Sequence, residues 1–362
     1  MTKAMRWISL KFCTMLSYRQ AVETMNRLLH RKKKDKIKQK TYADFCIRTG
    51  TEMEEEINQK ADRILEQHGF EAESGKCIRE ITEKIKKDSR KFQKQKEVKK
   101  AILEWNTSHL ETEEQLKQQN YLLEIPQKTA YISMDEIGVK HQKEHRTPEN
   151  EKQGVFVWNT VSTIETPEST YTLTNTEMRR TFCNTLAYLL EHDLLKKKHL
   201  IFLTDGAKDI RKNIEEVFKF RSYSIILDWY HLKKRCQEYL SMSVKGGKEK
   251  RNEILQKLLR ILWAGNVDEA VHYLSTLPES SLRSQNRIQD LCTYFEKNRI
   301  CIPCYALRSI FHLKNSSSRV EKANDLTVAH RQKHNGMSWS VSGSSSIAQI
   351  QVHFLNDSAI AA

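Results

Sequence analysis

Glycine and proline are scarce in this 362-residue chain, at 11 and 5 residues. So few turn formers argue against a turn-rich all-β protein and against a long disordered linker. No run of about 18 apolar residues occurs, which excludes a helical membrane span. Apolar stretches do occur between Met1 and Ser17. However, Lys3, Arg6 and Lys11 interrupt them and no small-residue cleavage site follows, so no signal peptide is expected. The eight cysteines are scattered with no framework spacing, which fits a reducing cytoplasm rather than a disulfide scaffold. Only Cys301-Ile302-Pro303-Cys304 has metal-type spacing. It lacks a second pair, so a buried pair flanking a proline turn is favoured over a zinc site.

Positive charge is abundant. Lys and Arg number 61 against 46 acids, a formal charge of +15. A surplus of this size suits a polyanion, and nucleic acid is the commonest such partner for an intracellular chain. With 38% hydrophobic residues the chain can still bury a core.

The chain divides by texture. Residues 1–50 are helical in pattern. A helix opens at Ser17 with apolar positions at Ala21, Val22, Met25 and Leu28. The basic run Arg31 to Lys40 follows, then a second short helix, capped by Thr41, that ends near Gly50. Two short helices around a basic segment suit a helix-turn-helix on DNA, and equally a helical hairpin with a solvated lysine face. Residues 51–125 continue as a charged helical arm, including an amphipathic stretch from Ile81 to Leu103.

At Pro126 β-branched and aromatic residues take over. Strands are expected at 129–139, 154–166, from 170, at 199–203 and at 222–227, with helices at 177–195 and 209–218. This order predicts an α/β fold: a mixed sheet with helices on its faces, preceded by an all-α N-terminal region. Residues 230–315 are helical again. A last long helix is expected at about 318–334, then a Ser-rich loop and a short helix at 346–354.

Three carboxylates stand where such a fold would expose them together. Asp135 interrupts an apolar strand, Asp205 directly follows the strand His199 to Leu203, and Glu321 falls in the first turn of a late helix. Acids at the carboxyl ends of strands border the crevice where open α/β sheets hold ligands. Gathered carboxylates repel, and Mg²⁺ relieves that cost while keeping coordination places for phosphate. Paired ions of this kind serve phosphodiester chemistry. Strand alternation lets only one of Asp135 and Glu136 point inward. Asp135 is preferred because it shares a face with Ser133 and Ile137, though pattern alone leaves the choice open.

Four blocks carry a resemblance: YISMDEIGVK, FLTDGAKDIRKNIEEVF, IILDWYHLKKRCQEYL and SSSRVEKANDLTVAHRQKHNGMSWS. In this order they resemble the bacterial insertion-sequence DDE transposases, in the branch related to the Mutator-like superfamily. The likeness covers residues 126–354. It implies a ribonuclease-H-like catalytic core in two parts, 126–229 and 316–362, with residues 230–315 as a helical insertion. Asp135, Asp205 and Glu321 match the three metal-holding acids. Asp228 and His231 match the family's Asp-x-x-His block, with His231 expected to contact phosphate or substrate and Asp228 to orient it. Trp339 is expected to be structural.

The implied activity is DNA transposition: metal-dependent cleavage at the element's ends, then attack of the freed 3′-hydroxyl on target DNA. The implied cofactor is Mg²⁺, with Mn²⁺ as a substitute. The implied partners are element-end and target DNA and further copies of the chain, without a membrane, in a bacterial cytoplasm near the nucleoid. The N-terminal region would read the terminal repeats. This chain has less sequence before its first helical block than members of the family often carry. A catalytically inactive DNA-binding remnant, acting as repressor or architectural protein, and a ribonuclease-H-like nuclease without strand transfer are the alternatives.

Overall fold

The β-branched and aromatic stretch from Thr129 to Leu227 forms one five-stranded sheet. Its strands are β1 (Thr129–Lys140), β2 (Phe156–Glu165), β3 (Thr170–Asn175), β4 (His199–Thr204) and β5 (Ser224–Leu227). The spatial order is β3-β2-β1-β4-β5. β1, β2 and β3 are antiparallel neighbours, while β4 runs parallel to β1 and β5 parallel to β4. The computed structural model describes residues 2–79, 85, 91–142, 155–333 and 337–360. Among them, no helix is long and apolar enough to cross a membrane.

Alternation along the strands sorts the core into two faces. Ala130, Ile132 and Met134 of β1 join Leu200 and Phe202 of β4 on one face. There they meet α5 (Met178–Glu191) and α7 (Lys208–Val217), separated in the chain by the single turn α6 (Leu194–Lys197) and by β4. Ile201 and Leu203 of β4 face the other way, into the expected helical insertion. That insertion comprises α8 (Trp229–Ser243), α9 (Lys248–Trp263), α10 (Val267–Ser275), α11 (Gln285–Asn298) and α12 (Tyr305–Ile310). Leu232, Leu258, Leu262 and Phe295 fill it without a break from the sheet.

The described part of the N-terminal region is mainly helical, with α1 (Lys3–Met15), α2 (Tyr18–Leu28), α3 (Gln39–Gln67) and α4 (Gln95–Ser108). Residues 1–50 nevertheless have no core of their own. Leu10, Cys13, Val22, Met25 and Cys46 pack with Ile137, Val139 and Val157 of the sheet and with the C-terminal helix. α4 inserts Val98, Ala101 and Ile102 into the core of the insertion, so this part of the charged arm lies against the body. Of the amphipathic stretch expected from Ile81 to Leu103, residues 81–84 and 86–90 lie outside the described residues, and α4 takes up its end from Gln95.

As the helical pattern of residues 1–50 predicts, α1 is a helix, with Thr2 capping its first turn (Met5 N–H to Thr2 Oγ1, 3.3 Å). Two local expectations are corrected. Gly50 does not end a short helix, because α3 runs through it. A Cβ there would sit 2.5 Å from Ser346 Cα, so glycine is needed for helix contact rather than for a turn. The Ser-rich stretch is not a loop but the start of α15 (Val341–Ile360). Ser344, Ser345 and Ser346 are buried and bonded: Ser346 Oγ donates to Ile47 O (2.9 Å), Ser345 Oγ to Glu54 Oε2 (2.6 Å) and Ser344 Oγ to Gln332 Oε1 (2.7 Å).

Candidate active site

The parallel pairing of β1 and β4 fixes the first two acids. Ser133 pairs with Leu203, so Asp135 and Asp205 each lie two residues further on, side by side at the carboxyl end of β4. Asp205 leaves the strand through a tight turn. Its Oδ1 accepts from Ala207 N–H (2.8 Å), and Gly206 takes φ +89° with Leu227 close behind it. Only glycine adopts that conformation freely. Asp135 is half-buried and Glu136 exposed, and Asp135 shares its face with Ser133 and Ile137, as alternation requires.

The third acid arrives from far along the chain. Glu321 is in α13 (Ser318–Asn324), which leads into a π-helical turn (Asp325–Ala329) and the short α14 (His330–Gln332). His231, in the first turn of α8, reaches it: Nε2 of the ring lies 3.1 Å from Glu321 Oε1. A buried network fixes the chain just before α13. Arg308 reaches Glu124 (3.3 Å), Asn315 (3.1 Å) and the Lys314 carbonyl (2.9 Å), and Trp229 N–H donates to Asn315 O (3.0 Å).

Asp228 acts on His231 through the backbone rather than through the ring. It is fully buried and its side chain does not meet the imidazole of His231. Oδ1 instead accepts from the His231 backbone N–H (2.8 Å), capping α8. Oδ2 accepts from the backbone N–H and, at 3.0 Å, the hydroxyl of Ser317. Asp228 therefore pins the start of α8 to the start of α13, and so sets His231 against Glu321. Its carboxylate is spent on protein donors and does not face a substrate.

Charge couples the cluster. Burial pushes the Asp135 carboxyl above the usual carboxylate range. The Glu136 amide pulls it down, Asp205 adds repulsion, His231 counters it and Glu321 adds more. Glu136 is raised too, by burial first and then by Asp209, Asp135 and Asp205. Hard carboxylate oxygens of this kind suit Mg²⁺ or Mn²⁺. Among the described residues, however, no three His, Cys, Asp or Glu side chains stand close enough to hold a metal ion. Glu321 is engaged by His231, and Asp135 Oδ2 by Asn324 Nδ2 (2.7 Å).

Asn324 and Ser317 were missed as site residues. Asn324 lies three residues after Glu321, so helical spacing put both on one face. Cys301 and Cys304 are both buried around Pro303, the favoured reading of that pair. Trp339 is also buried, and its indole N–H donates to Gln332 O (3.1 Å). No protein-family model matches this chain, and no curated protein or solved structure matches it either.

Proposed function

We propose that the protein is a DNA transposase with a ribonuclease-H-like core, cleaving phosphodiesters at element ends and joining the freed 3′-hydroxyls to target DNA. The observation that carries this reading is the convergence of Asp135, Asp205 and Glu321 at one end of the sheet, from strands and a helix far apart in sequence. The strand order β3-β2-β1-β4-β5, antiparallel through β1 and parallel beyond it, supports the ribonuclease-H-like assignment. The family resemblance of the four sequence blocks points the same way.

In this reading Asp135, Asp205 and Glu321 hold Mg²⁺ or Mn²⁺. Such an ion, when bound, activates a water or hydroxyl and stabilises the leaving oxygen. His231 sets the direction of Glu321, and Asp228 sets His231. Lys233, Lys234 and Arg235 are exposed on α8 just beyond His231, where they suit contact with DNA phosphates. Synapsis of two ends calls for more than one copy of the chain.

One observation favours a second reading, a DNA-binding remnant without catalysis: the acids do not close into a three-membered ligand group. The deciding experiment uses labelled DNA from both flanks of the gene, purified protein, and Mg²⁺ or Mn²⁺. Discrete metal-dependent nicks, lost in Asp135→Ala and Asp205→Ala, are expected. Binding without cleavage, equal in all three proteins, leaves the remnant. Cleavage without joined products leaves a nuclease.

A further inference from the structure

An amide beside Asp135 has a buried oxygen without a hydrogen-bond partner among the described residues. Asn324 is the last residue of α13 and is 5% exposed. Its Nδ2 donates to Asp135 Oδ2 at 2.7 Å. Its Oδ1 is buried and has no partner among the described residues. A buried carbonyl oxygen left unpaired is costly, and such atoms in folded proteins call for a reason. Oδ1 and Nδ2 belong to one planar amide, so the unpaired oxygen stays close to the carboxylate that Nδ2 touches. Rotation of the amide about its last side-chain bond exchanges the two atoms. Oδ1 would then face Asp135 Oδ2, an arrangement that two oxygens accept only with a cation or a proton between them.

The chemistry of the neighbourhood selects the cation. Asp205 and Glu321 add negative potential at Asp135. A neutral amide oxygen is a hard ligand that adds no further repulsion to crowded carboxylates, and Mg²⁺ and Mn²⁺ take such ligands.

We infer that Asn324 is a fourth ligand position of the acidic centre. In the cation-free protein it holds Asp135 through Nδ2, and it offers Oδ1 to a divalent cation shared with Asp135. This rests on the reading of Asp135 and Asp205 as cation-holding acids.

The test measures Mn²⁺ binding to the full chain by electron paramagnetic resonance, without DNA and without any activity readout. Wild type is compared with Asn324→Ala, Asn324→Asp and Asp135→Ala, each checked for folding by circular dichroism. Asn324→Ala is expected to weaken Mn²⁺ binding about 10-fold or more, within the range seen when groups supporting a metal site are removed. Asn324→Asp keeps an oxygen and loses the donor, so it is expected to bind Mn²⁺ at least as tightly as wild type. A folded Asn324→Ala with wild-type affinity, while Asp135→Ala has lost it, overturns the inference. So does a loss in Asn324→Asp as large as in Asn324→Ala, which would leave only the donor role; the Asn324→Asp arm decides on its own should Asn324→Ala fail to fold. If Asp135→Ala binds Mn²⁺ as wild type does, the underlying reading of the acids falls first.

Discussion

His231 and Glu321 stand 90 residues apart in the chain and meet at 3.1 Å, ring nitrogen to carboxylate oxygen. Both side chains are partly exposed, so the pair adds under about 1 kcal/mol to stability. Its consequence is positional, since it fixes the one acid that the sheet does not carry. His231→Ala is expected to lower metal-dependent DNA cleavage about 10- to 100-fold, as removal of a group orienting a ligand does. Unfolding in urea should stay within about 1 kcal/mol of wild type. A stability loss with unchanged cleavage would make the pair structural.

Asp228 predicts the opposite balance. It is buried and accepts from three donors on two helices. Asp228→Ala removes a helix cap, worth about 1 kcal/mol. It also strands the buried donors of Ser317, at about 1–3 kcal/mol. Urea unfolding should report a loss of about 2–4 kcal/mol from these two sources. Cleavage should fall with it, because α8 and α13 lose their common anchor. A loss below about 1 kcal/mol would contradict the role assigned to the carboxylate.

Much of the sheet was legible because strand alternation and strand ends are local signals. The neighbouring positions of Asp135 and Asp205 follow from them, and β1 to β5 fall close to their expected bounds. The misreadings share one cause: small residues serve both turns and close helix contacts, and sequence does not say which. Gly50, Ser345 and Ser346 looked like punctuation and are instead the surface on which α3 and α15 touch. Asn324 went unseen because its meaning depends on Asp135, far away in the chain.

The α3–α15 contact gives a sign test at Gly50. By propensity alone, Gly50→Ala would stabilise the middle of a helix by about 1 kcal/mol. The added Cβ would meet the Ser346 backbone, 2.5 Å from its Cα, and backbone cannot swing aside as a side chain can. Overpacking of a tight interface costs about 1–3 kcal/mol, and this contact is at the severe end. The net expectation is a lower melting temperature. A higher one would mean that the two helices separate without cost.

Glu54 ties the same interface to the sheet edge, accepting from Ser345 Oγ (2.6 Å) and Asn175 Nδ2 (2.8 Å). Burial raises its carboxyl above the usual range, against the pull of these donors. A raised carboxyl costs stability as pH climbs from the unfolded value through the folded one, because the native state prefers the proton. Glu54→Gln does not titrate. The stability of Glu54→Gln relative to wild type should therefore rise with pH across that window and level off above it, whatever constant offset the lost acceptor imposes. Melting curves of both proteins from acid to neutral pH give the difference directly, and a flat or falling difference would refute the assignment.

Two lysine clusters compete for the role of DNA contact, and salt dependence separates them. Lys32, Lys33 and Lys34 are exposed between α2 and α3, while Lys233 and Lys234 are exposed on α8 beyond His231. Each lysine that neutralises a phosphate contributes about 0.9 to the slope of log affinity against log salt. Changing Lys233 and Lys234 to Ala should reduce that slope by up to about 1.8 and slow cleavage if DNA lies across α8 beside the acids. Changing Lys32, Lys33 and Lys34 to Ala should reduce it by up to about 2.7 only if the N-terminal helices also grip DNA. This region shares its core with the sheet, so an effect there would arise from a surface packed on the acid-bearing sheet rather than from a tethered domain. Unchanged slopes in both variants would place the DNA elsewhere and remove the path to Asp135 proposed here.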